Sequence, residues 1–167
     1  MKSITPLPSR GYALLAQLGN SLQSPFLLLV RLYWGWQFVQ TGWGKLHNIQ
    51  HVIEFFTSLN IPAPAFNAWF VSGMEFVGGI LLIMGLGSRL VGLALAFDMV
   101  VAYISADQEA LRSIFSNPGK FYNADPYTFL FASLMILIFG PGRFALDYVL
   151  SLDRRPLKSS TGVHAAA

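Results

Sequence analysis

The chain has 167 residues, 54% of them hydrophobic and only 11% charged, against roughly 25% charged in an ordinary soluble domain. That deficit marks an integral membrane protein. Four spanning helices of about 20 residues each would use most of the length, which excludes a separate soluble catalytic domain and sets the expectation of one membrane domain over residues 1–167. The formal charge of +3 comes from basic residues that form no run able to track a phosphate backbone, so no nucleic-acid partner is expected. The absence of cysteine excludes disulfides, thiolate nucleophiles, Cys-ligated zinc and iron–sulfur clusters.

The first apolar patch, residues 11–19, follows Lys2 and Arg10 but is too short for a spanning helix and carries no small-x-small cleavage signal. Leu15, Leu18 and Leu22 recur at spacings of three and four, which predicts a short amphipathic helix on the membrane surface. The first span is expected over residues 25–44, with Ser24 as N-cap and Pro25 at the first helical position. The second covers residues 66–86 and stops at Gly85 and Gly87. Ser88 is expected to cap a third over 89–106, in a tight hairpin with the second. Turn formers fill NPGKFYNADP, a fourth span follows over 126–139, and RFALDYVLSL after Gly140-Pro141-Gly142 reads as an interfacial helix. The expected fold is therefore all-α: an integral membrane four-helix bundle with short interfacial helices at both ends.

Orientation follows from Lys and Arg near the span ends. Lys2, Arg10, Arg89, Arg143, Arg154, Arg155 and Lys158 share one side, while Lys45, Arg112 and Lys120 lie on the other, seven against three. Both termini are expected in the cytoplasm, in a bacterial inner membrane.

The stretch GMEFVGGILLIMGLG carries a single carboxylate, Glu75, inside an apolar run. At about 1.5 Å of rise per residue, Glu75 lies roughly 14 Å inside the second span and Asp98 roughly 15 Å inside the third. An ionisable residue at the centre of a span costs roughly 2.5–3.5 kcal/mol, so both acids call for a partner, a proton or water. Arg31, six residues into the first span, is the expected partner of one of them. In RLYWGWQFVQTGWGK, Arg31, Gly35, Phe38, Gly42 and Lys45 form one helical stripe, whose glycines allow close approach of a neighbouring backbone. Two readings of the buried charges stay open: an ion pair that fixes helix register, or the lining of an internal site that binds a polar head or moves a proton. Trp34, near the same midplane, is a candidate wall for a flat ring, with plain packing as its alternative.

HNIQHVIE places His47, His51 and Glu54 on one face of a short helix, a spacing compatible with metal ligands but more typical of a solvated face, so no metal is expected. No haem is expected either, because the spans contain no histidine and His164 lies in the tail.

The segments RLYWGWQFVQTGWGKL, EFVGGILLIMGLGSRL and GPGRFALD resemble the DoxX family of small four-helix bacterial membrane proteins, over roughly residues 31–147. In that resemblance Arg31, Gly35, Gly42, Lys45, Glu75, Gly78, Gly79, Gly85 and Arg89 fall on the family's motif positions. It implies the four-helix fold. It also implies a link to membrane redox systems, since the family's name comes from subunits associated with quinone-linked thiosulfate oxidation. The expected function is thus a membrane redox subunit that holds a quinone-like ligand in the bundle. Glu75 or Asp98 would exchange protons, Arg31 or Lys45 would stabilise the carbonyl or anionic form, and Trp34 would flank the ring. Electrons would come from a membrane or soluble redox partner. The alternative is a noncatalytic scaffold or small transporter subunit whose buried charges fix the fold, with membrane lipid as the one certain neighbour and oligomerisation left open.

Overall fold

A computed structural model describes residues 10–150. The basic tail residues Lys2, Arg154, Arg155 and Lys158, used above for orientation, lie outside the described residues.

The chain runs through α1 (Arg10–His47), α2 (Ile49–Ser58), α3 (Pro64–Met84), α4 (Ser88–Ser105), α5 (Gln108–Arg112), α6 (Pro118–Asn123), α7 (Pro126–Phe139) and α8 (Leu146–Val149), with no strand among the described residues. Three helices, α1, α3 and α4, are long and apolar enough to cross a membrane. The fourth, α7, is an apolar helix of 14 residues, about 21 Å long. The protein is an all-α membrane helical bundle. Leu29, Trp36, Phe70, Leu90, Phe97 and Ile138 turn their side chains outward, as expected where the surrounding solvent is lipid.

Two pairs build the bundle, α1 on α3 and α4 on α7, and α3 packs on α4 to join them. Glycines set the first contact. A Cβ on Gly42 would lie 2.4 Å from the Phe76 backbone nitrogen, and one on Gly79 would lie 2.6 Å from the Gly35 carbonyl oxygen. The backbones therefore touch, as the stripe on the first span predicts. Between the pairs, Val30, Phe38, Leu82, Leu95, Met99 and Ile136 form the core.

Three local expectations are corrected. The surface helix and the first span are one continuous helix, α1, with Pro25 in its interior. Ser24 is therefore not a cap, and its hydroxyl instead accepts the Arg143 backbone N–H at 3.3 Å. A proline inside a membrane helix is tolerated where neighbouring groups compensate the freed carbonyl. Ser88 begins α4 but makes no side-chain cap, because the preceding Gly87 is left-handed and the capping group comes from elsewhere. Finally, residues 143–150 do not form one continuous surface helix: they make a strap whose one helical turn among the described residues is α8, with Ala145 and Asp147 buried.

The strap explains the missing cap. Asp147 Oδ1 accepts the Gly87 N–H at 2.7 Å and Oδ2 the Ser88 N–H at 2.8 Å, while the Asp147 N–H donates to the Gly85 carbonyl at 2.9 Å. The carboxylate thus satisfies the free donors at the start of α4, where the helix dipole favours an anion. At the same end of the bundle, Arg89 in the first turn of α4 donates to the Leu137 and Ile138 carbonyls, closing the C-terminus of α7.

Candidate functional site

Helix register decides which charges meet. Because α1 and α3 are antiparallel and locked by Gly35 and Gly42, the N-terminal half of the α1 stripe lies beside the end of α3. Its C-terminal end lies beside the middle. A Cβ on Gly85 would lie 2.7 Å from the Arg31 guanidinium, so Arg31 sits ten residues, about 15 Å, along α3 from Glu75.

Arg31 therefore does not pair with Glu75 or Asp98. It is 1% exposed and donates from one terminal nitrogen to the Pro141 carbonyl and from the other to the Phe144 carbonyl, both at 2.7 Å. Asp147 supplies the compensating charge nearby. These are short, charge-assisted bonds, and they make Arg31 the clamp of the strap. Gly85 is required twice over: its φ is +70°, and a side chain there would displace both the guanidinium and Ala145.

Lys45 meets Glu75 instead. Its ammonium donates to Glu75 Oε1 at 2.5 Å. The Asp98 carboxyl on α4 faces that of Glu75 at interaction range. With both acids ionised, neither Glu75 Oε2 nor Asp98 Oδ2 has a donor among the described residues, whereas one proton on the pair lets the two carboxyls hydrogen-bond to each other. Glu75 is 2% exposed and Asp98 6%. Three helices thus bring one amine and two carboxyls together, with two buried acceptor oxygens that lack a donor when both acids are ionised. An unmet buried acceptor costs about 1–3 kcal/mol, and more when charged. Such a group can accept a proton or a hydroxyl donor. It cannot favour an anion, because Lys45 is already engaged.

Trp34 lies eleven residues, about 16 Å, from Lys45 along α1, packed against the core and edge-on to Tyr33 with ring centres 4.8 Å apart. It does not flank the acids. The aromatic pair at their level is Trp43 and Phe76, with ring centres 5.5 Å apart, Phe76 being the neighbour of Glu75 and Trp43 largely exposed on the lipid side. The histidine segment is divided between helices: His47 ends α1, where its ring lies 4.1 Å from that of Trp43, and His51 and Glu54 belong to α2.

Asp147 is the residue that sequence reasoning missed. Its partners are 59 and 60 positions away, so no local spacing signals it. The only hint was an acid closing the GPGRFALD motif.

Residues 26–108 match the DoxX family. The chain is 30% identical over 120 residues to "Putative oxidoreductase CatD" of Bacillus subtilis, covering 72% of this chain and 83% of that protein. It is likewise 30% identical over 139 residues to "Uncharacterized membrane protein Rv3486" of Mycobacterium tuberculosis, covering 76% and 82%. No solved structure matches.

Proposed function

The chain belongs to the DoxX family of membrane proteins, and on that premise we propose that it is the membrane subunit of a redox system in which Lys45, Glu75 and Asp98 handle protons for a quinone-like ligand. The observation that carries this reading is the pair of buried acceptors, Glu75 Oε2 and Asp98 Oδ2, that lack a donor when both acids are ionised. The oxidoreductase name of the Bacillus relative supports the redox class.

The residues fit the reduced, hydroxyl-bearing form of such a ring. Glu75 and Asp98 would accept its hydroxyl protons, and Trp43 with Phe76 would offer an apolar, lipid-facing wall. When bound, the ring supplies two-electron chemistry, with two protons taken up on reduction, and a partner protein supplies or removes the electrons. Lys45 holds the charge of Glu75 and leaves Asp98 as the group free to change its protonation. Arg31 has no part in this chemistry, because its donors are committed to the strap. Both termini lie in the cytoplasm and the bundle in the inner membrane, as the distribution of Lys and Arg favours.

The test is extraction of lipid from the purified protein and assay for co-purifying quinone. Wild type is expected to retain it and Asp98→Asn to lose it at equal protein abundance. The second reading, a scaffold without chemistry, draws on the Arg31–Asp147 clamp, which is structural throughout. It predicts that every phenotype tracks abundance.

A further inference from the structure

The three groups of the site differ in their access to water. Glu75 and Asp98 are closed off, but the Lys45 side chain is 36% exposed. Lys45 stands two residues from the end of α1, where the chain turns into α2, so its long stem can carry the amine to the interface. On that face α2 adds His51 and Glu54, both exposed.

Toward the opposite face the bundle is shut. Below Asp98, Leu82, Leu95 and Ile136 are each 0% exposed and Phe38 1%, and the Arg31–Asp147 clamp closes the end. The polar side chains on that route are the hydroxyls of Ser133 and Ser88. Ser133 abuts Gly92, six residues or about 9 Å along α4 from Asp98, and Ser88 is ten residues or about 15 Å away. A proton moves along hydrogen bonds of about 3 Å, so neither hydroxyl continues a relay from Asp98. α7 brings no charged side chain to this interior.

We infer that the Glu75–Asp98 pair exchanges its proton with one face only, the face bearing α2, α5 and α6, and that Lys45 is the relay. In each exchange the Lys45 ammonium passes one proton to the carboxyl pair, and the neutral amine takes one from water. The net change is one proton from that face, and the formal charge of the three groups goes from −1 to 0. This rests on the proton-handling role proposed above.

The test uses the full chain in proteoliposomes of known orientation and reads the infrared carbonyl stretch of a protonated carboxyl while pH is stepped on one side. The band is expected to follow pH on the α2 face and to ignore the strap face. Its response should slow by about 100-fold in Lys45→Met and also in Lys45→Arg, which keeps the charge beside Glu75 but cannot give up its proton; a response as fast as wild type in Lys45→Arg overturns the relay. A band that follows pH on the strap face, or on both faces equally, overturns the one-sided relay and leaves the proton-handling role standing. If wild type shows no band at any pH that Glu75→Gln or Asp98→Asn removes, the proton-handling role fails and the relay with it.

Discussion

A Cβ at position 42 would meet the Phe76 backbone at 2.4 Å, and backbone cannot rotate away. Gly42→Ala is therefore expected to cost about 1–3 kcal/mol through forced separation of α1 and α3. Gly44, two residues on, has nothing within 4 Å, so Gly44→Ala should be neutral or stabilise by up to about 1 kcal/mol through helix propensity. Thermal unfolding in detergent distinguishes the two, and equal behaviour would refute the close packing. Arg31→Met leaves the Pro141 and Phe144 carbonyls without their donors, with an expected loss of about 2–5 kcal/mol. Glu75→Gln should cost less, because the Lys45 amine it releases can reach water. A larger loss for Glu75→Gln than for Arg31→Met would contradict the strap clamp as the main structural use of a buried charge.

At the scale of elements, α1 differs most from the reading of its sequence. Ser24-Pro25 is a strong helix-start signal, but the apolar residues on both sides continue one helix, and a single proline lacks the cost to end it in a membrane. Pro25→Ala restores a donor to the Ser21 carbonyl and is expected to stabilise α1 by about 1–3 kcal/mol, measurable as slower amide exchange near Ser21. The α3–α4 hairpin was legible because Gly85 and Gly87 act locally, and so was the glycine face of α1. The partners of the charges were not: choosing Lys45 over Arg31 for Glu75 requires the α1–α3 register, and Asp147 caps α4 across 60 residues. Outside the membrane, Lys120 of α6 hydrogen-bonds to Glu109 of α5 and, with its charge, holds that carboxyl below its ordinary value. A lowered folded value contributes stability above the unfolded pKa and loses it as pH falls through the folded one. Amide protection in α5 and α6 should therefore decline only in acid below the usual glutamate range. In Glu109→Gln it should show no such step, with the neutral-pH melting temperature nearly unchanged because the pair lies at the solvent-exposed surface.

For the molecule as a whole, the loop between α5 and α6 and the strap lie at opposite ends of the bundle. A tag inserted near Asn117 is expected to be reached from outside the cell, and labelling only from the cytoplasm would invert the orientation. In the proposed role the two carboxyls sit in the membrane interior for chemistry, not for stability. A group kept for function can be removed with the fold intact or improved. The most direct measurement is Asp98→Asn in cells lacking the native protein, with membrane abundance, melting temperature, bound quinone and growth under oxidative stress read together. Normal abundance, an equal or higher melting temperature, and loss of bound quinone and of growth are expected. Full retention of quinone and growth, or their loss only in step with abundance, would contradict the proposed role.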